Sequence, residues 1–308
     1  MVSPAASMAS IRTIPTACFF LTTIVAAAES AMTLGQVPPS GGMPAGCPSD
    51  YEAVQSSVGL GTAYDIPGPG VVTVWMTNGH NPVVTEGGGT FTDNGDSAAL
   101  RVYRRVSGSN TLTPVAESST QTLASGGPVA FTTRIPVNGG ELIGLRIAAG
   151  GGDGSSVCLQ SFGPDLNKVL TAAPAGPLNA ERAMSVGNQF RVDVGVILEP
   201  DADRDGFGDE TQDQCPTDAD TQGDCPIPDT TITTAPKSKT RKRKATIAFS
   251  SDLAGATFEC ALDDGPFAPC SSPAIVKVKR GKHTFAVRAT AKGQTDASPS
   301  GASWKVKK

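Results

Sequence analysis

The chain has 308 residues, enough for two or three modest domains, and its 35 glycines, 24 prolines and 5% aromatic content favour short strands joined by turns over a helical bundle. The formal net charge of −4 argues against a nucleic-acid binder, but it averages over two opposite regions. Residues 199–229 hold eleven acids and one base, a net charge of −10, whereas residues 230–308 hold fifteen bases and five acids, a net charge of +10.

The N-terminus has the pattern of an export signal. The run IPTACFFLTTIVAAA is apolar but short for a membrane span, and Ala26-Ala27-Ala28 supplies the small residues that signal peptidase requires. A membrane anchor is the alternative interpretation of this run. No second apolar run of spanning length follows, so we predict a signal peptide over 1–28 and a secreted, extracellular or cell-surface protein without a span in the mature chain.

Residues 32–198 alternate apolar and polar side chains along several runs separated by glycine-rich turns. Alternation with one apolar face predicts half-buried antiparallel strands, and about 165 residues of it fit a β-sandwich, of which a jelly roll is one arrangement. The segment PLNAERAM alone hints at a helix. The runs are VVTVWM (71–76), ALRVYRRV (99–106), ELIGLRI (141–147) and FRVDVGVIL (190–198).

The segment DADRDGFGDETQDQCP, residues 201–216, concentrates aspartates that would repel one another in the absence of a cation. Carboxylates at alternate positions Asp201, Asp203 and Asp205 can converge on one point, and Gly206 permits the sharp turn that follows. The Phe207 carbonyl and Asp209 come next, and such an all-oxygen set suits Ca²⁺. An EF-hand is excluded because Gln212 occupies loop position 12 and because the flanking sequence is not helical.

The spacing D-x-D-x-D-G-x-G-D-x-x-x-D-x-C-P resembles a thrombospondin type 3 repeat over residues 200–226. The resemblance implies an aspartate-rich calcium-binding coil over 199–229 and a disulfide at Cys215 and Cys225. The following unit, TDADTQGDCP, is degenerate, which leaves a second calcium site around Asp218–Asp224 open, and an acidic linker without metal is the alternative for the whole segment. The implied ligands are Asp201, Asp203, Asp205, Phe207 through its carbonyl, Asp209 and Asp213.

The run KSKTRKRK (237–244) carries six positive charges in eight residues. It can be a solvated linker between domains. It can also attach the protein to an anionic surface such as a cell-wall polymer, an acidic glycan or lipid headgroups.

Residues 230–308 show a second pattern of five to seven short strands, which fits an immunoglobulin-like sandwich. The stretch from ATFECALDDG to SWKV resembles bacterial Ig-like modules, and the resemblance implies a spacer or adhesive role without catalytic residues. Phe258, Phe285, Val287 and Trp304 are the expected core. The sequence also predicts a hairpin within AIVKVKRGKHTFAVRATA (274–291), with its turn at Arg280-Gly281.

Six cysteines remain after Cys18 in the predicted signal, and an even number in an exported chain predicts disulfides. Free thiols or a zinc site are disfavoured because the sequence has no CxxC pair and only two histidines. Fifteen pairings are possible, and the location of the cysteines in three regions favours one of them, in which the N-terminal pair is assigned by elimination. The expected pairs are Cys47–Cys158, Cys215–Cys225 and Cys260–Cys270.

The functional expectation is a calcium-binding structural or adhesion protein, all-β, with a calcium-rigidified coil between two β modules. We expect no enzyme, because His80 and His283 lie in no nucleophile or metalloprotease motif. The alternative is a carbohydrate-binding or glycan-active protein that uses the N-terminal sandwich, for which Trp75 and Tyr103 are the candidate aromatic residues. The expected partners are a cell-wall polymer, a glycan or another surface protein, and not nucleic acid.

Overall fold

The structure is a computed structural model that describes residues 30–36, 43–58, 64–78, 97–106, 109–123, 128–148, 156–161 and 167–308. The predicted signal peptide and His80 lie outside these ranges. Within them the chain forms strands and turns with no helix, which confirms the all-β prediction, and hence none that is long and apolar enough to cross a bilayer. The helix hinted at by PLNAERAM is instead a turn followed by a two-residue strand.

Fifteen of the described strands precede residue 200, and we refer to them as the N-terminal module. They are β1 (Met32–Gly35), β2 (Met43–Cys47), β3 (Tyr51–Ser57), β4 (Gly70–Asn78), β5 (Ser97–Arg105), β6 (Thr111–Glu117), β7 (Gln121–Thr122), β8 (Pro128–Val137), β9 (Leu142–Ile147), β10 (Ser156–Ser161), β11 (Lys168–Ala172), β12 (Arg182–Ala183), β13 (Ser185–Asn188), β14 (Phe190–Val192) and β15 (Val194–Glu199).

The N-terminal module contains three antiparallel sheets among the described residues. One has the order β1-β15-β4-β8, a second has the order β14-β10-β2, and the largest has the order β12-β6-β5-β9-β3-β11-β13 with β7 on β5. Side chains from all three sheets meet in one core, which includes Val72 and Trp75 from β4 and Leu100 from β5. The exclusion of this apolar surface from water is the main stabilising contribution to the module.

The central strands β3, β5 and β9 of the largest sheet are buried on both faces, which differs from the half-buried strands that the alternation predicts. On β5, Leu100 faces the main core, whereas Tyr103 on the opposite face belongs to a second apolar cluster and is fully buried. Arg101 is also buried, and its guanidinium is ion-paired with Glu52 at 2.8 Å and with Glu117. Because these charges are paired, the face of β5 that carries Arg101 can be buried without the cost of an unpaired buried charge.

The remaining nine strands form the C-terminal module. They are β16 (Thr230–Thr234), β17 (Lys239–Thr240), β18 (Lys244–Ser251), β19 (Thr257–Leu262), β20 (Ala268–Cys270), β21 (Ala274–Lys277), β22 (Gly281–Ala291), β23 (Gln294–Thr295) and β24 (Ser300–Val306). A three-stranded sheet with the order β16-β18-β21 packs against a sheet with the order β17-β24-β22-β19-β20, and β23 pairs with β22. The core between them includes Ile247, Phe285, Val287 and Trp304, with Phe258 half-buried against it.

The predicted hairpin at Arg280-Gly281 is wrong. The strand β21 pairs with β18 in one sheet, and β22 pairs with β19 and β24 in the other, so the turn crosses between the two layers. The backbone N–H of Val278 donates to the carbonyl of Arg243 at 2.9 Å, which extends the pairing with the β18 side past the end of β21. The basic run 237–244 contains β17 and the first residue of β18, and it is therefore part of the module and not a free linker.

The structure contains the three disulfides expected from the sequence: Cys47–Cys158, Cys215–Cys225 and Cys260–Cys270. The first joins β2 to β10 in the N-terminal module, and the last joins the adjacent strands β19 and β20. Such bonds persist in oxidising compartments, and the folded chain is accordingly a protein of a non-cytoplasmic compartment.

Candidate metal centre

Residues 200–229, which we call the acidic coil, contain no strand and connect β15 to β16 through a series of turns. One carboxylate oxygen from each of Asp201, Asp203 and Asp205 lies within 4.8 Å of the others. No other group of three potential metal ligands meets this criterion in the part of the chain that the structure describes. The alternate spacing of the three aspartates therefore produces the convergence that the sequence predicts.

Backbone N–H groups hold the three carboxylates in place. Both Oδ atoms of Asp201 accept hydrogen bonds at 3.1 Å, from the N–H groups of Asp205 and Gly206. The N–H of Phe207 donates to Asp205 at 2.8 Å. Gly206 has a φ of +86°, a conformation that costs glycine little and other residues more, so the turn depends on the glycine at this position.

Asp209 and Asp213 complete the set of acidic side chains predicted from the sequence. The Asp209 carboxylate accepts from the N–H of Ala202 at 3.2 Å, which folds the coil back on its own start. Burial raises the pKa of Asp209 above its usual range, and repulsion from Asp201 and Asp213 adds to the shift. Burial and the adjacent Asp205 likewise raise the pKa of Asp203, so the five carboxylates act on one another as one cluster.

Two carboxylate oxygens in this cluster lack any hydrogen-bond partner among the described residues. They are Oδ2 of Asp203 and Oδ2 of Asp213, and both are inaccessible to solvent. Asp213 is only 3% exposed, and its Oδ1 accepts from the N–H of Cys215 at 2.7 Å. A buried carboxylate oxygen without a donor is costly, and a bound cation would remove that cost.

Phe207, the predicted carbonyl ligand, lies within the same turn. Its ring packs under the guanidinium of Arg134 on β8, with Cζ 4.0 Å from the ring centroid. The side-chain amide of Gln212 donates to the carbonyl of Thr133 at 2.8 Å. Through these two contacts the coil rests on β8 of the N-terminal module, and the metal-ligand role of the Phe207 carbonyl remains a prediction.

Glu199 anchors the coil, and sequence reasoning missed it. It is the last residue of β15 and is 1% exposed, and its carboxylate accepts from Thr73, from the N–H of Glu210 and from both the N–H and hydroxyl of Thr211. Although burial alone would raise its pKa, these hydrogen bonds hold the pKa of Glu199 below the usual value. Gly208 allows the close approach, because a Cβ there would lie 2.4 Å from Glu199 Oε2.

In the degenerate second unit of the coil, one aspartate is paired with a lysine of the C-terminal module. Asp218 is 6% exposed, and its Oδ1 lies 2.5 Å from the Nζ of Lys292, which belongs to the turn between β22 and β23. The hydroxyl of Thr217 donates to the Lys292 carbonyl at 2.8 Å. The ammonium group thus neutralises the most buried carboxylate of this unit, whereas Asp220 and Asp224 are exposed.

The aromatic residues considered for glycan binding are not available at the surface. Trp75 and Tyr103 are both fully buried, in the two apolar clusters of the N-terminal module. His283 packs its ring against Trp304 and contacts the Asp263 carboxylate through Nδ1 at 2.8 Å and the Lys279 carbonyl through Nε2 at 2.9 Å. Both of its nitrogens are therefore committed to structural contacts.

Comparisons with known proteins identify no family for this chain: no family model matches, and neither does any curated protein. Among solved structures, the β-D-glucuronidase of Dictyoglomus thermophilum is 10% identical with a TM-score of 0.18 over 91% of this chain, and the β-glucuronidase of Faecalibacterium prausnitzii is 11% identical with a TM-score of 0.17 over 90%. This chain spans 44% and 46% of those chains, less than half of each.

Proposed function

We propose that the acidic coil binds one Ca²⁺ through Asp201, Asp203, Asp205, Asp209 and Asp213, together with the Phe207 carbonyl. The observation that carries this proposal is the convergence of three carboxylates within 4.8 Å beside buried oxygens of Asp203 and Asp213 that accept no hydrogen bond from the described residues. Calcium takes six to eight oxygen ligands in flexible geometry, which a carboxylate-rich turn can supply.

The choice of Ca²⁺ over other metals rests on the donor set. The cluster offers carboxylate and backbone oxygens, with no thiolate or imidazole to favour zinc or copper, since Cys215 and Cys225 are joined in a disulfide. Mg²⁺ requires near-ideal octahedral geometry and keeps several of its waters. A coil with five closely spaced carboxylates suits the larger and less demanding ion.

The proposed role of the bound ion is mechanical. The coil contacts the N-terminal module through Glu199 and Phe207, and the C-terminal module through Asp218. An ion that orders the coil also fixes the positions of the residues through which the coil contacts the two modules. The chain then acts as a calcium-rigidified structural or adhesion protein that is secreted or held at the cell surface. We further propose that it is not an enzyme and that the coil belongs to the thrombospondin type 3 class.

Calorimetric titration of EDTA-stripped protein tests the metal site. We expect one Ca²⁺ per chain in the wild type and at least about tenfold weaker binding in Asp205→Ala, because a ligand and a hydrogen-bond acceptor for Phe207 are both lost. The matched control is Asp224→Ala, which removes the same charge from an exposed position in the same coil. No uptake at millimolar Ca²⁺, or equal weakening by both variants, would contradict the proposal.

Small-angle scattering tests the structural role separately. Calcium addition should narrow the distribution of distances between the two modules in the wild type and leave it broad in Asp205→Ala. Binding without any such narrowing would mean that the coil holds an ion but does not control the arrangement of the modules. Turnover of an ester, peptide or glycoside substrate by the purified protein would contradict the proposal that the chain is not an enzyme.

A further inference from the structure

Thirteen exposed lysine and arginine side chains lie at one end of the C-terminal module, which we call the basic pole. The topology brings them together because β18 begins, β21 ends, β22 begins and β24 ends at the same end of the sandwich. They are Lys237, Lys239, Arg241, Lys242, Arg243, Lys244, Lys277, Lys279, Arg280, Lys282, Lys305, Lys307 and Lys308.

Within the pole, like charges face each other across the strand ladders. Lys244 lies directly opposite Lys277, and Lys305 lies opposite both Lys282 and Lys239. Such pairs are destabilising, and none of the thirteen side chains forms an ion pair with the described residues. Asp263 and Asp264 follow β19, and Asp263 is paired with His283. The positive charge of the pole is thus uncompensated within the described chain.

A groove of about 620 Å³ lies at the pole. Lys237, Lys242 and Lys244 line it together with Thr240 and Thr246, and these residues belong to the segment before β18 and to the start of that strand. This segment is held by backbone hydrogen bonds, from Lys305 to the Ser238 carbonyl at 2.9 Å and from Lys307 to the Thr240 carbonyl at 2.8 Å. A groove that is already formed avoids the entropic cost of ordering on binding.

We propose that this groove binds a linear acidic polysaccharide. A concave site lined by three lysines fits a segment of a charged polymer chain better than a flat membrane surface, and lysine is a strongly hydrated point charge that can pair with carboxylate or sulfate groups. Two threonine hydroxyls can hydrogen-bond sugar hydroxyls. The groove lining contains no aromatic side chain for stacking a nucleic-acid base.

The site is independent of the proposed calcium centre. The strand β22 runs from Gly281 at the basic pole to Ala291 beside Lys292, the residue that contacts the acidic coil. At about 3.4 Å per residue, eleven residues separate the two ends by about 34 Å, several times the screening length at physiological salt. Binding to the groove should therefore be the same in the presence of Ca²⁺ and of EDTA.

The test uses the full mature chain at 0.15 M salt and four probes: dextran sulfate, hyaluronate, a single-stranded oligo(dT) and phosphatidylglycerol vesicles, with neutral dextran as the control. We expect saturable binding of the two acidic polysaccharides, none of neutral dextran, and weaker binding of the oligonucleotide and the vesicles. Tighter binding of oligo(dT) or of vesicles than of either polysaccharide would overturn the proposal, and so would binding to neither polysaccharide.

Two triple variants with the same charge change distinguish a groove from general attraction. Lys237→Gln, Lys242→Gln and Lys244→Gln together should weaken polysaccharide binding by about tenfold or more. Lys279→Gln, Arg280→Gln and Lys282→Gln together remove three charges from the same pole outside the groove and should weaken it less than about threefold. Equal losses in the two variants would show that only net charge matters and would refute the groove. Circular dichroism should show that both variants remain folded.

Discussion

The Nζ of Lys292 lies 2.5 Å from the Oδ1 of Asp218, so the turn after β22 is ion-paired with the acidic coil. The Asp218 carboxylate raises the pKa of Lys292, which keeps the ammonium group charged across the physiological range. Together with the hydrogen bond from Thr217 to the Lys292 carbonyl, this contact connects the coil to the C-terminal module independently of the covalent chain.

Lys292→Gln should loosen that connection. The variant leaves the nearly buried Asp218 without its cation, and we expect a wider distribution of distances between the modules in calcium-loaded protein. Small-angle scattering of wild type and variant at saturating Ca²⁺ measures this. Lys305→Gln, an exposed lysine without an ion pair among the described residues, is the matched control and should change nothing. An unchanged distribution in Lys292→Gln would show that this contact does not orient the module.

Gly208→Ala should destabilise the junction between β15 and the coil. A Cβ at this position would lie 2.4 Å from Glu199 Oε2 and 2.7 Å from the Cγ2 of Thr73, so the anchor has to shift. We expect a loss of about 1–3 kcal/mol in the free energy of unfolding, measured by urea denaturation. Gly223→Ala is the control, because nothing lies within 4 Å of its added Cβ. Similar stability in the two variants would contradict the tight contact at Glu199.

Glu199→Ala tests the same anchor from the other side. The substitution removes the acceptor for Thr73 Oγ1 and for the N–H groups of Glu210 and Thr211. We expect a loss of about 2–3 kcal/mol in thermal or urea unfolding, because partly buried donors are left unpaired. Glu199→Gln keeps one acceptor oxygen and should lose less. A smaller effect of alanine than of glutamine would overturn this account.

His283 should make the stability of the C-terminal module depend on pH. The hydrogen bond to Asp263 raises the pKa of His283 and lowers that of Asp263. The histidine contribution is therefore complete below its unfolded-state pKa of about 6.5 and is lost as the pH rises through the folded-state value. The aspartate contribution is present above about pH 3.9 and is lost as the pH falls through the folded-state pKa of Asp263.

Urea unfolding at pH 5.5 and 8.5 measures the histidine part. The wild type should be more stable at pH 5.5 relative to pH 8.5 than His283→Gln, which lacks the titrating ring. An NMR titration of His283 should give a pKa above 6.5. A pKa below that value, or an identical pH dependence in the variant, would contradict the ion pair with Asp263.

The sequence predicted the all-β fold and the convergence of Asp201, Asp203 and Asp205, because both depend on the local spacing of side chains. It did not predict Glu199, whose role depends on Thr73 in β4, 126 residues away, as well as on Thr211 in the coil. In the local sequence, only its place at the end of a strand distinguishes Glu199 from the acids that follow it.

The predicted hairpin at Arg280-Gly281 was wrong for a related reason. Two alternating apolar runs joined by a short turn can pair with each other or cross to opposite layers of a sandwich, and local periodicity is the same in both cases. The strands available for pairing decide between the two arrangements. Here β21 pairs with β18, whereas β22 pairs with β19 and β24. The burial of Tyr103 likewise depends on a distant partner, since its hydroxyl donates to Glu52 at 2.9 Å.

The position of β15 bears on how the proposed connection between the modules would respond to a pull. The strand lies between β1 and β4, antiparallel to both, and its last residue, Glu199, leads directly into the acidic coil. In the structural role proposed above, a pull on the C-terminal module directed along β15 would load the hydrogen bonds on both of its sides together, in shear, because those bonds lie perpendicular to the strand. The acidic coil thus leaves the N-terminal module from an interior strand, and shear along such a strand does not break its hydrogen bonds one at a time.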